Sequence, residues 1–206
     1  RSSPEPAGPF TGQRTGLRLG LCCQFAEQPI KFRNTTATAM LRLPRDARLS
    51  RLAELCRANA DALLSALKYC AASGMRAFRI NSQILPVKTH PTAGYEVGEL
   101  PGGAHIIARF QKCGEFARAN DLRLSFHPDQ FVVLNSPNPK TLAHSLAELS
   151  YQAEVAEWVG ADTVNIHGGG AYGAKATALR VLRENITRLP QPVRSRLTLE
   201  NDDKGK

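Results

Sequence analysis

The chain has 206 residues, of which 42% are hydrophobic and 22% charged, a balance that supports a folded core and excludes a disordered polymer. Basic side chains outnumber acidic ones 27 to 18, giving a net charge of +9 that suits a polyanionic partner, and their even spread favours a basic folded face over a basic arm. No apolar run approaches the roughly 18 residues of a membrane span, and the five cysteines lack zinc-ribbon spacing, so buried thiols in a reducing cytosol are expected.

Residues 1–16, rich in Pro, Gly, Ser and Thr and without an apolar signal core, are expected to form a flexible tail. Leu17–Cys23 is the first strand candidate, with Cys22 and Cys23 buried in it. Residues 26–45 read as a long loop. From Asp46 to Ser73, Leu49, Leu52, Cys56, Ala60, Leu63 and Leu67 recur at helical steps, between Pro44 and Gly74, and Ala60-Asp61 is a candidate break. Arg76–Ile80 is the second strand, followed by Asn81-Ser82-Gln83 and a proline-punctuated loop through His90-Pro91.

The next helix is Gly102–Ala119, and Leu122–Phe126 is the third strand, delivering His127 at its end before Pro128 stops the ladder. Pro139–Val159 is a helix closed by Gly160, Thr163–Ile166 the fourth strand, Ala174–Leu189 a helix and Arg196–Glu200 the fifth strand. Strands alternating with helices imply βαβ units and a mainly parallel α/β sheet. A closed (β/α)8 barrel of the TIM type needs eight units and about 250 residues. Five strands and four crossovers leave either a short open sheet or a piece of a barrel; the polar strand ends favour the second, a partial TIM-barrel catalytic domain over residues 17–206, about five βα units with the C-terminal part missing.

Polar groups collect at the C-terminal ends of these strands, where parallel barrels place their chemistry: Gln24, Asn81, Gln83, His127, Asn165, His167 and Glu200–Asp203. His90 lies in the loop leaving the second strand. Imidazoles and carboxylates converging there suit divalent metal ions that polarise a phosphoryl oxygen and activate water. Each has a plainer reading: His90-Pro91 as a loop turn, Glu200 as half of a salt bridge. His105 and His144 sit within helices on faces that read as packed or solvated. The Gly168–Gly173 stretch lets backbone amides approach a phosphate, with Lys175 adding charge at the helix start, or serves only as a tight turn. Neither a Gly-x-Ser-x-Gly elbow nor a Walker A lysine accompanies it. Gln130-Phe131 has the composition of a wedge for a base stack, but Phe131 could equally tuck under the barrel rim with Val132 and Leu134. Composition alone favours the tucked reading.

Several ordered strings together resemble one family. They are Leu19–Cys23, Phe78–Gln83, Thr89-His90-Pro91, Ser125–Phe131, Asn135-Ser136-Pro137, His167–Gly173 and Leu199–Asp203. The resemblance is to the UV DNA damage endonucleases, metal-dependent barrels related in architecture to endonuclease IV. It implies two or three divalent ions, usually manganese, ligated by His90, His127, His167 and Glu200, with Glu200 and His167 carrying catalysis. It further implies lesion probing by Gln130 and Phe131, while the glycine turn itself offers Gly169, Gly170, Tyr172 and Lys175 for contact with the DNA backbone. The implied reaction hydrolyses the phosphodiester immediately 5′ to a UV photoproduct in double-stranded DNA, leaving 3′-hydroxyl and 5′-phosphate ends. A monomer in the cytoplasm, nucleoid-associated in a bacterium, is the matching expectation. Two rivals are a sugar isomerase or epimerase on a similar metal-binding barrel and a DNA-binding remnant without activity.

Overall fold

A computed structural model describes residues 17–22 and 24–200. The expected tail (1–16), Cys23 and the Asn201–Asp203 acidic tip lie outside the described residues.

Five short strands form one wholly parallel sheet: β1 (Gly20–Cys22), β2 (Ala77–Ile80), β3 (Arg123–Phe126), β4 (Thr163–His167) and β5 (Leu197–Glu200). Their spatial order is β1-β2-β3-β4-β5, the order of the sequence. Right-handed crossovers that never reverse direction stack their helices on one side, which is how a βα barrel wall grows; a doubly wound sheet would reverse. The described residues are therefore five consecutive strands of a TIM-type wall joined by four helical crossovers, with every strand C-terminus at one rim.

The helices are α1 (Ala37–Leu41), α2 (Arg45–Ala72), α3 (Gly103–Ala119), α4 (Pro139–Val159), α5 (Lys175–Arg188) and α6 (Gln191–Arg194). Alternation along the strands divides the two faces. Phe78, Ile80, Leu124, Phe126, Val164 and Ile166 are buried. In register, Ile80 pairs with Phe126 and Phe126 with Val164, so these side chains share the helix-facing side. The intervening residues Ser125, Thr163, Asn165 and His167 face the other way and are only partly buried. Leu52, Leu63 and Leu67 of α2 and Phe110 of α3 complete the core. Each such burial contributes roughly 1.5–3 kcal/mol.

Four features differ from the sequence reading. The expected break at Ala60-Asp61 does not occur, and α2 runs unbroken for 28 residues. Ala60 is an ordinary core contact whose carbonyl accepts from Cys113 Sγ at 3.4 Å, while exposed Asp61 pairs with Arg109 on α3. The loop 26–45 contains α1, because Thr36 caps it by accepting from the Ala39 amide at 3.2 Å. Cys22 is exposed rather than buried, because described β1 pairs on one side only, with β2; Cys56, Cys70 and Cys113 are the buried thiols. Finally, a short 3-10 turn (Val97–Glu99) closed by a Glu96–Glu99 capping box and the helical turn α6 punctuate stretches read as irregular.

Close approach fixes one glycine in the outer layer. A Cβ on Gly114 would lie 2.7 Å from the Val159 backbone carbon and oxygen, so α3 and α4 meet only because position 114 carries no side chain.

Candidate functional site

The strand periodicity that buries Phe126 and Ile166 sends His127 and His167 to the opposite face at the rim. His167 is the last residue of β4 and pairs in register with Glu200, the last residue of β5. His127 follows β3 directly. The ligating atoms of His127, His167 and Glu200 all lie within 4.8 Å of one another. His127 Nε2 is 2.6 Å from Glu200 Oε2, and the two imidazole rings are 5.1 Å apart at 74°.

The surroundings orient these donors. His127 Nδ1 is 2.9 Å from the Pro128 carbonyl, an acceptor only, so Nδ1 carries the proton and donates. The other ring nitrogen, Nε2, faces a Glu200 carboxylate oxygen at 2.6 Å, a contact that requires a proton or a cation between the two atoms. Asn165 Nδ2 donates to the same Glu200 oxygen at 3.2 Å, and Thr198 Oγ1 donates to Asn165 Oδ1 at 2.8 Å. This chain fixes the carboxylate in the way outer-shell partners fix metal ligands. Two imidazoles, a carboxylate and this support form a donor set that fits a divalent transition ion.

His90 is not part of that group. Its Nδ1 accepts from the amides of Thr92 and Ala93 at 3.2 and 3.1 Å, which leaves the proton on Nε2. Ligation through Nε2 would require that proton to move and those two bonds to break. His90 instead lines a cavity of about 460 Å³ beside Asp129, Phe131 and Val132. Lys88 anchors this loop: its side chain is only 7% exposed and lies 2.9 Å from Glu96 and 3.8 Å from Glu154. Burial raises the Glu154 carboxyl above its ordinary range, against the pull of Lys88.

Phe131 does not tuck under the rim. It is 69% exposed while Val132 and Leu134 are buried, and Gln130 beside it is also exposed. The tip is a tight Asx turn: Asp129 Oδ1 accepts from the Phe131 amide at 3.0 Å, and the Asp129 carbonyl from Val132 at 2.9 Å. That turn reverses the chain and points Val132, not Phe131, into the core.

After His167, Gly169 has φ +78° and packs its Cα against the Asn135 carboxamide, whose Nδ2 donates to the Gly170 carbonyl at 2.9 Å. Tyr172 and Lys175 are exposed, and α5 begins at Lys175 without a side-chain cap. Sequence reasoning missed the α4 face formed by His144, Glu148 and Tyr151, which line the cavity at steps of four and three. Glu148 pairs with Thr89, and Tyr151 donates to the Ser82 carbonyl at 2.9 Å. Their shared helical face was the available signal.

The sequence model of the UV-endonuclease UvdE family matches residues 17–206. The chain belongs to that family. UvdE relatives include the UV DNA damage endonuclease of Bacillus cereus, 33% identical over 172 residues, covering 82% of this chain and 53% of the relative. That of Bacillus velezensis is 32% identical over 194 residues, covering 93% and 58%. The crystal structure of SacUVDE superposes with a TM-score of 0.80 at 26% identity, over 91% of this chain and 62% of that one. The chain thus spans about half the length of the curated relatives it matches.

Proposed function

We propose that this UvdE family member acts in DNA repair as an endonuclease that hydrolyses the phosphodiester immediately 5′ to UV photoproducts. The observation that carries the reading is the convergence of His127, His167 and Glu200 at three adjacent strand ends, with an exposed Gln130–Phe131 tip leaving the same strand as His127. When bound, a divalent ion, manganese by family resemblance, supplies a Lewis acid that polarises the scissile phosphate and activates water.

The chain's own residues do the rest. Asn165 and Thr198 hold Glu200 facing the two histidines. The Pro128 carbonyl holds the His127 tautomer. Gln130 and Phe131 test whether the duplex is already distorted, since a wedge enters a weakened stack at lower cost. The Gly169–Gly170 backbone and Lys175 take the phosphates near that rim. His90 is proposed to serve a further ion only after its Nδ1 contacts are exchanged. Double-stranded DNA with UV lesions is the substrate, and the products carry 3′-hydroxyl and 5′-phosphate ends.

Nicking of supercoiled plasmid tests the proposal. Relaxation is expected only for irradiated plasmid supplied with manganese, absent with EDTA and lost in Glu200→Gln. Equal nicking of untreated plasmid, or nicking that survives Glu200→Gln, would overturn it.

A further inference from the structure

The loop leaving β4 holds a second exposed ring in an unusual backbone state. Tyr172 is 50% exposed and sits at φ +44°, a left-handed conformation that non-glycine residues rarely adopt. Such strain persists where the surroundings over-determine it. Here they do so from two sides. Asn135, 5% exposed, donates from Nδ2 to the Gly170 carbonyl, and its Oδ1 occupies the space a side chain at Gly169 would need. The preceding carbonyl, Leu134 O, accepts from Asn185 of α5 at 2.6 Å, so the loop after β3 grips both the glycine turn and the helix that follows it.

The orientation of the ring can be read from Gly170. A Cβ built there lies 3.3, 3.4 and 3.5 Å from Tyr172 Cζ, Cε2 and Cε1. Near-equal distances to three ring atoms place the face of the ring, not its edge, over Gly170. One face therefore lies against the Gly170 backbone, while half of the residue remains exposed. Phe131, at the exit of neighbouring β3, is the other strongly exposed aromatic among the described residues. Two open rings on adjacent strand exits border the donor set of His127, His167 and Glu200. Apolar π-faces held rigid beside a phosphate-handling site suit one ligand chemistry, the flat face of a nucleobase.

We propose that Tyr172 is a stacking platform for a nucleobase of bound DNA, held in place by Gly170 and the Asn135 clamp. This rests on the reading of the chain as a DNA endonuclease and changes the role of Tyr172 within it: the ring face, not the hydroxyl, makes the contact. Phe131 probes from the β3 side, and Tyr172 receives a base on the β4 side.

Fluorescence anisotropy of an end-labelled, UV-irradiated duplex, with EDTA present to prevent cleavage, tests the platform. Tyr172→Ala is expected to weaken binding about fivefold or more, the loss of one stacked base, while Tyr172→Phe stays within about twofold of wild type. Should Tyr172→Ala melt below the assay temperature, Tyr172→Leu with an unchanged melting curve carries the same test. Wild-type affinity in Tyr172→Ala alongside weakened binding in Phe131→Ala would refute the platform and leave the endonuclease reading standing. Equal losses in Tyr172→Phe and Tyr172→Ala would also refute it, assigning the contact to the hydroxyl. No binding of any duplex by wild type would overturn both readings.

Discussion

Replacing Phe131 by alanine separates function from stability more cleanly than any other change at the rim. With 69% of the residue exposed, only about a third of the ring's burial is available to lose. Full burial of a phenylalanine contributes at most about 3 kcal/mol, so Phe131→Ala should cost about 1 kcal/mol or less. Leu134, three residues on and fully buried, should cost about 2–5 kcal/mol when cut to alanine. Loss of a ring that stacks in DNA is worth about 1–3 kcal/mol of binding, roughly five- to 150-fold in affinity. Urea denaturation and anisotropy with irradiated duplex give the two numbers on the same preparations. The wedge assignment predicts an unfolding midpoint near wild type and a clear loss of affinity. A destabilisation above 2 kcal/mol, or unchanged affinity, would refute it and restore the tucked reading.

Other consequences concern the scaffold. Gly114→Ala places a Cβ 2.7 Å from the Val159 backbone, and moving α3 off α4 should cost about 1–3 kcal/mol in chemical denaturation. Asn59 is fully buried, accepts from the Arg33 amide at 2.6 Å and donates to the Arg33 and Ile84 carbonyls at 2.9 and 2.8 Å. Asn59→Ala strands these groups and should cost about 2–4 kcal/mol, read as a lowered midpoint. Burial pushes the thiols of Cys56 and Cys70 up to about 11 and that of Cys113 to about 12, from an ordinary 9.0. Above pH 9 the unfolded chain releases protons that the folded chain retains. Stability should therefore be level in this respect below pH 9 and fall as pH rises towards 11. Denaturation midpoints at pH 8, 9 and 10 check the sign, and Cys113→Ala should flatten the fall.

The strand ends were legible because two periodicities meet there. Alternation within Leu122–Phe126 and Thr163–Ile166 assigns the buried face, and the residue after each buried one must face the rim; His127 and His167 follow at once. Glu200 follows from the same register. Composition alone misplaced Phe131, because it ranks phenylalanine as core, whereas the Asp129 carboxylate turns the chain within two residues and presents Val132 inward; the family resemblance had already set Phe131 at an exposed tip. The Ala60-Asp61 pair looked like a break because aspartate is a weak helix former, but tertiary partners on α3 outweigh that preference of a few tenths of a kcal/mol. His90 carries the right side chain in the right loop, yet two backbone amides occupy Nδ1, and no spacing rule reveals where amides of the next turn will point. The clamp of Asn135 on the glycine turn was equally hidden, since the partners lie about 35 residues apart.

His127, His167 and Glu200 are proposed to form one metal centre, which a manganese titration followed by electron paramagnetic resonance tests most directly. The donor set predicts saturable binding that weakens at least tenfold in Glu200→Gln and in His167→Ala and is unchanged in His105→Ala, on the exposed face of α3. Equal affinity in wild type and Glu200→Gln would contradict it.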